Sequence, residues 1–315
     1  MENRILRLQK MTMNRTNNLI LCLLVALVGL SGCRNDDNNG GPEAIPARDR
    51  GEESLAAQTE IEEFLQTHFY NYEEFENPPA DFDFNIVFDT IAGDNSDKIP
   101  LIQQVSSKTV TDREESDVEY TLYYLDAITG GGEDLQYPDI ASIAFEGRLL
   151  DLELFDSSVI PLQIDLTGVI NGFQDALIEF NGATQIISNP DGTVSFENFG
   201  VGAVFIPSGL GYFLEPPPQS IIPVYAQLLF TFKVYDVQKG DQDGDGIPSI
   251  FEDLNGNGFE EDDDTDEDGV PDFADFDDDG DGIPTRDEIE IDDEGNVTFP
   301  DADGDGIPDY RDDDN

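Results

Sequence analysis

Beyond Gly240 the chain repeats the pattern Asp-x-Asp-Gly-Asp-Gly-Ile-Pro, which sets oxygen donors at regular intervals. Carboxylates at positions 1, 3 and 5, a backbone carbonyl at position 7 and an acid at position 12 form the oxygen set that surrounds a calcium ion. The first frame is Asp241, Asp243, Asp245, Ile247 and Glu252; the second is Asp253, Asn255, Asn257, Phe259 and Asp264. A third runs through Asp264, Asp266, Asp268, Val270 and Asp275, and a fourth through Asp277, Asp279, Asp281, Ile283 and Glu288. The last is Asp301, Asp303, Asp305, Ile307 and Asp312. Every frame has glycine at position 6 (Gly246, Gly258, Gly269, Gly282, Gly306), where the chain must turn sharply around an ion.

Hard oxygen donors without His or Cys select calcium over zinc or copper. Consecutive frames abut or share an acid, so no flanking helices fit, and EF-hands are excluded. Pro248, Pro271, Pro284 and Pro308 at position 8 also disrupt a helical exit. The array resembles thrombospondin type 3 repeats, and that resemblance implies an irregular segment wrapped around calcium ions instead of an apolar core. Residues 289–300 interrupt the repeat and are expected to form a small hairpin. A disordered acidic tail is the bland alternative, which fits the composition but not the periodic glycines.

A second set of residues is apolar. Phe145-Glu146-Gly147-Arg148-Leu149 is followed by Phe155-Asp156-Ser157-Ser158, then Val169-Ile170-Asn171-Gly172-Phe173. Ile206-Pro207-Ser208-Gly209-Leu210-Gly211-Tyr212, Ile222-Pro223 and Leu228-Leu229-Phe230 come next. In this order the blocks resemble FKBP-type peptidyl-prolyl isomerases. The resemblance implies a pocket made by Phe145, Phe155, Asp156, Val169, Ile170, Phe173, Tyr212, Ile222 and Phe230, with proline-containing polypeptides as partners and no cofactor for catalysis. The chain departs from the family pattern in having no Trp, in Phe213 for a common glycine, in Leu162 for a common aromatic, and in a longer segment 183–200.

The chemistry of such a pocket needs no nucleophile. Amide resonance opposes rotation of an X-Pro bond by ~18–20 kcal/mol. A dry pocket that prefers the twisted, less polar amide to the planar one lowers that barrier. Phe155, Phe173 and Phe230 are expected to receive the prolyl ring, while the Ile170 N–H and the Tyr212 hydroxyl hold substrate carbonyls. Taken singly, each phenylalanine is more readily a core residue.

To place these residues the sequence predicts a helix over 54–75, with Ser54 as N-cap, and a strand over 82–91 with Phe82, Phe84, Ile86 and Phe88 on one side. Strands follow at 118–125, 140–150 and 162–166, a short helix at 172–180, and strands at 183–188, 193–196, 202–206 and 225–237, with Asn189-Pro190-Asp191-Gly192 as a turn. Many antiparallel strands around one short helix make an α+β domain. The resemblance makes it an FKBP-like antiparallel sheet wrapped around that helix. The expected organisation is a signal peptide (1–32), a flexible tether (33–53), an N-terminal helix and strand extension (54–117), the isomerase-like domain (118–238) and the calcium array (241–315).

Seventy acidic residues against 15 basic ones give a formal charge of −55, which makes nucleic acid and anionic surfaces poor partners. Of those acids 32 lie after Gly240, against only Arg286 and Arg311. Calcium would remove that local repulsion, so folding of this segment is expected to be coupled to binding, with affinity near ~10⁻⁴–10⁻³ M as in extracellular modules.

At the other end Arg4, Arg7, Lys10 and Arg15 precede an apolar run at 19–30, too short to span a bilayer. It ends in Leu30-Ser31-Gly32-Cys33, which resembles the lipobox of bacterial lipoproteins and implies acylation of Cys33. Cys22 lies in the segment that would be removed, so no intrachain disulfide is expected. The chain is therefore expected in the bacterial cell envelope, membrane-attached through Cys33, on the outer rather than the inner membrane. Two functions are open at this point: an isomerase acting on exported or surface proteins, or a non-catalytic peptide-binding and adhesion lipoprotein whose tail takes a calcium-dependent partner.

Overall fold

A computed structural model describes residues 46–314 other than 294. The signal peptide, the lipobox with Cys33 and most of the expected tether lie outside the described residues. No helix among the described residues is long and apolar enough to cross a membrane.

The first helix, α1 (Arg50–Thr67), starts four residues before the expected Ser54 because Asp49 accepts the Glu52 N–H at 2.9 Å and caps it. Acidic Glu52 and Glu53 then sit in the first turn, where the helix dipole favours them. Ser54 instead donates its hydroxyl to the Glu119 carbonyl at 2.7 Å, tying the helix to the sheet below. The tether therefore ends before Arg50. Buried Ala57, Ile61, Phe64 and Leu65 fall at helical spacing on one face.

The helix also stops early. Residues 68–70 leave it to form β1 (His68–Tyr70), paired with β2 (Phe88–Thr90), and only a short α2 (Tyr72–Glu76) follows. The expected strand over 82–91 is thus three residues long. Phe84 has φ of 58°, which breaks the alternation, and its ring instead joins Phe75, Phe82 and Phe199 in an aromatic cluster.

The main sheet has six antiparallel strands: β3 (Ser106–Thr111), β4 (Glu119–Ile128), β5 (Ile140–Leu149), β6 (Leu154–Asp165), β9 (Gly200–Ile206) and β10 (Leu228–Gln238). Their order is β3-β4-β9-β10-β5-β6. A hairpin of β7 (Gln185–Ser188) and β8 (Val194–Glu197) fills the long connection before β9. The sheet includes β3, so the expected boundary at 118 cuts through a hairpin. That strand was invisible in the sequence because it is polar, Ser-Ser-Lys-Thr-Val-Thr, with only Val110 buried. The expected strand at 162–166 is the tail of the longer β6, whose exposed Val159 and Ile160 give no alternation.

Both faces of the sheet are covered, which is why every residue of central β9 is buried. On one face α3 (Asn171–Leu177) packs Phe173, Ala176 and Leu177, with Phe180 just beyond it, against Leu122, Ile143, Val204, Ile206, Phe230 and Phe232. On the other, α1 and the loop at Leu101 cover Leu125, Val201, Phe205 and Leu229. The architecture is mixed α and β, with antiparallel sheets and few helices. It has a helix on each face, not one helix alone.

Beyond β10 the chain is mostly turns, with α4 (Thr285–Glu288) and a hairpin of β11 (Glu290–Ile291) and β12 (Val297–Thr298) where the repeat is interrupted. The acidic segment does contain a small apolar core, contrary to expectation: Ile247, Ile289 and Tyr310 are buried together, flanked by Ile291 and Val297. It meets the sheet domain through Gln242, which donates to the Pro138 carbonyl at 2.8 Å. Tyr137 donates to Glu261, and the Arg113 guanidinium lies 5.1 Å from the centre of the Phe259 ring.

Candidate functional site

Four phenylalanines from four elements converge: Phe145 on β5, Phe155 on β6, Phe173 in the first turn of α3 and Phe230 on β10. Phe173 and Phe230 stack with centroids 4.8 Å apart, and Phe155 meets Phe230 edge-on at 5.5 Å. Phe145 lies 6.2 Å from Phe230 and 6.4 Å from Phe173. Gly147 permits this closure, since a β-carbon there would stand 2.6 Å from the Phe155 ring and 2.8 Å from the Phe230 ring. Phe173, Phe230 and Ile222 are buried, whereas Phe145, Phe155, Val169, Ile170 and Tyr212 are only partly covered, so the cluster opens to the surface on that side.

Two of these partly covered residues carry a free polar group. Ile170 caps α3 in an extended conformation, and its carbonyl accepts from the N–H groups of Phe173 at 2.9 Å and Gln174 at 3.2 Å. Its own N–H has no partner among the described residues. The Tyr212 hydroxyl likewise has none, and burial, reinforced by the charge of Asp156, pushes its pKa up and keeps it a donor. Asp156 itself is exposed opposite Gly147, its carboxylate taking the N–H of Ser157 at 2.8 Å. Val169, Ile170, Tyr212 and Ile222 belong to the same core as the four rings, and Asp156 follows Phe155 on β6.

The departures lie elsewhere. Leu162 pairs with Ile143 on the outer strand and is exposed. Phe213 turns toward the N-terminal helix, where its ring carries the Arg50 guanidinium at 4.3 Å and meets Tyr225 edge-on. Arg50 in turn forms a buried ion pair with Asp112 at 2.6 Å. Phe213 thus anchors α1, a role with no signal in the local sequence.

A cleft of about 260 Å³ lies between residues 83–86 and strands β5 and β10, with Phe145 also on its lining. Lys233 spans it, donating to the Asp83 carbonyl at 2.5 Å and to Asn85 Oδ1 at 2.7 Å, and burial lowers its pKa.

In the acidic segment the backbone repeats one device. The residue at position 5 donates its N–H to the side chain at position 3, and the residue at position 7 donates to the side chain at position 5. In the first frame these bonds are Asp245 N–H to Asp243 at 3.2 Å and Ile247 N–H to Asp245 at 2.6 Å. In the last they are Asp305 to Asp303 at 2.9 Å and Ile307 to Asp305 at 2.8 Å. The glycine at position 6 takes a positive φ, from 78° at Gly258 to 103° at Gly306, which side chains avoid.

Three frames gather their first three acids, with oxygens within 4.8 Å of one another: Asp264, Asp266 and Asp268; Asp277, Asp279 and Asp281; Asp301, Asp303 and Asp305. Asp275 and Asp312 lie within electrostatic reach of their own groups. Val270, Ile283 and Ile307 are exposed, while Ile247 is buried in the small core. Glu288 closes α4, beside the hairpin.

Two frames differ from expectation. In the first, Asp243, Asp245 and Glu252 are joined by Asp278, and exposed Asp241 is not part of the close group. The reason is that the neighbouring Gln242 is held back on the sheet domain by Pro138 and Asp165. In the second, the asparagines at positions 3 and 5 make side-chain bonds to acids of the same frame. Asn255 and Asn257 donate their amides to Asp262 and Asp263, Asp253 accepts the N–H groups of Gly256, Asn257 and Gly258, and the Phe259 ring packs against Arg113.

Burial, reinforced by neighbouring carboxylates, raises several of these acids: Glu252 to about 10, Asp278 to about 8, and Asp243 to about 7. Asp245 is raised to about 6, again chiefly by burial. Oxygens of all four have no hydrogen-bond partner. Orphaned, hard and anionic donors fit a divalent cation bound through oxygen.

A family model described as the BamM C-terminal region matches residues 242–300. Comparison with curated proteins finds no match. Among solved structures, a peptidyl-prolyl cis-trans isomerase from Pseudomonas syringae pv. tomato is 15% identical, with 62% of this chain and 100% of that one aligned at a TM-score of 0.35. FkpA from Escherichia coli is 19% identical over 60% of this chain and 62% of its own length, at a TM-score of 0.34. AtFKBP13 is 20% identical over 42% of this chain and 99% of that one, at a TM-score of 0.29.

Proposed function

We propose that this chain is a peptidyl-prolyl cis-trans isomerase acting on exported or surface proteins, with a calcium-organised acidic segment after its catalytic domain. The observation that carries the reading is the half-open aromatic cluster of Phe145, Phe155, Phe173 and Phe230, in a core whose partly covered residues Ile170 and Tyr212 hold an unengaged N–H and hydroxyl. An X-Pro segment entering there would set its prolyl ring against Phe155 and Phe230. The two donors would hold flanking carbonyls and leave the imide free to rotate. Apolar surroundings favour the twisted imide because its lost resonance makes it less polar than the planar ground state.

Calcium on this reading is structural. Asp264, Asp266 and Asp268, with the corresponding acids of the fourth and fifth frames, would hold it, and it would supply charge neutralisation that lets the acidic turns close. A lipid at Cys33 would place the chain on the bacterial outer membrane, with the calcium segment free to meet a partner.

The test is isomerisation of a short X-Pro peptide by the wild type and by Tyr212→Phe and Phe173→Ala. Removing the hydroxyl is expected to lower kcat/KM by about tenfold, the weight of one transition-state hydrogen bond. Removing the Phe173 ring should abolish most of the acceleration. A folded wild type that binds the peptide without accelerating it would instead establish the non-catalytic peptide-binding reading.

A further inference from the structure

The carboxylates of Asp243, Asp245, Glu252 and Asp278 bring oxygens within 4.8 Å of one another. Asp245, Glu252 and Asp278 are 2%, 1% and 2% exposed, so water does not reach them. One oxygen of Asp243 and one of Asp245 accept backbone N–H groups of the loop. The other oxygen of each, and both oxygens of Glu252 and of Asp278, have no partner. Six orphaned carboxylate oxygens in one dry place are far from the rule that buried polar groups are satisfied. Arg286 lies beside this loop, against Gly246, but makes no ion pair with the four acids among the described residues. The Asp301, Asp303 and Asp305 group, by contrast, is wholly exposed and can be satisfied by water.

Asp278 stands outside the repeat pattern. Its neighbours Asp277 and Asp279 serve the fourth frame together with Asp281. Its own N–H donates to the Thr285 hydroxyl at 3.1 Å, and its carboxylate joins the first frame. We propose that Asp278 completes, with Asp243, Asp245 and Glu252, a dry calcium site that fills before the exposed frames and ties the first loop of the acidic segment to the fourth. The inference rests on the reading of this segment as calcium-binding and adds a ligand and an order of filling. Four carboxylates attract a divalent ion more strongly in a dry site than three do at an exposed one. A cage that offers protein oxygens and excludes water also disfavours magnesium, which gives up its hydration shell reluctantly.

The chain supplies its own reporter. Tyr310, buried in the small core with Ile247, feels the charges of Asp278 and Glu252, and the protein has no Trp. A terbium ion at this site should therefore emit when tyrosine is excited. The experiment titrates the calcium-stripped full chain with calcium by calorimetry and with terbium by sensitised emission, using Asp278→Asn, Glu252→Gln, Asp303→Asn and Tyr310→Phe. The wild type is expected to show one tight class above weaker ones. Asp278→Asn and Glu252→Gln should each weaken that class by more than the roughly 10–100-fold that loss of an outer-sphere partner costs. Asp303→Asn should leave it intact, and Tyr310→Phe should dim its emission without changing calcium affinity. Asp278→Asn preserves shape and relieves like-charge repulsion, so misfolding of the apo form does not explain a loss. A tight class undisturbed in both Asp278→Asn and Glu252→Gln overturns the inference while leaving the calcium reading in place. Absence of any calcium binding by the wild type overturns both.

Discussion

The sheet domain and the acidic segment are held together by opposite means. In the first, two layers of apolar side chains cover both faces of one sheet, and β9 is buried throughout. In the second, a cluster of only three buried apolar residues accompanies carboxylates stripped of partners. Burial of apolar area stabilises the sheet under any ionic condition, whereas like charges out of water stabilise the segment only when a cation joins them. The contrast separates the functions as well: a dry apolar cluster suits an imide that must shed polarity, and an oxygen array suits a hard ion.

The largest expected difference between the two regions is their response to a chelator. Removing divalent cations should expose residues 241–314 to limited proteolysis while residues 50–238 remain protected; equal sensitivity of both regions would break the distinction. Next in size are losses on the sheet side. Phe232→Ala empties a fully buried ring position and should cost about 3–5 kcal/mol in chemical denaturation of the sheet domain, with or without calcium.

Arg50→Ala removes the buried counter-charge of Asp112, which keeps only the N–H groups of Glu114 and Glu115, and should cost about 3 kcal/mol, visible as detachment of α1 by hydrogen exchange. Burial raises the Asp112 carboxyl, but the N–H groups of Glu115 and Glu114, together with Arg50, more than offset this and leave its pKa lowered. A lowered folded pKa adds stability above the unfolded carboxylate range, and that stability is lost as pH falls through the lowered value. The wild type should therefore lose this contribution on acidification below about pH 4, and Arg50→Ala should lose less of it in the same titration. A smaller effect, about 1–3 kcal/mol, is expected for Gly147→Ala, because the added methyl forces the Phe155 and Phe230 rings apart. On the proposed function, acceleration of X-Pro isomerisation by this variant should fall more than its stability does.

The two regions were also unequally legible in the sequence. Most of the sheet strands could be placed because their apolar runs are bounded by turn residues, and the aromatic cluster followed from blocks spread between Phe145 and Phe230. What local sequence could not reveal depends on distant partners. The N-cap passed to Asp49 because Ser54 is engaged by β4, polar β3 belongs to the sheet through pairing alone, and Phe84 left its strand for an aromatic cluster. Spacing in the acidic segment located the loops and their glycines, which are local features. Asp278 in the first group arises from folding of the fourth frame on the first.

The most direct test is cis-to-trans isomerisation of an X-Pro peptide by the full chain, first stripped of calcium and then loaded with it. Because every residue of the aromatic cluster belongs to the sheet domain with its apolar core, acceleration is expected in both states, with calcium altering the protection of the acidic segment. No acceleration in either state by a folded protein would contradict the assignment of that cluster as an isomerase site.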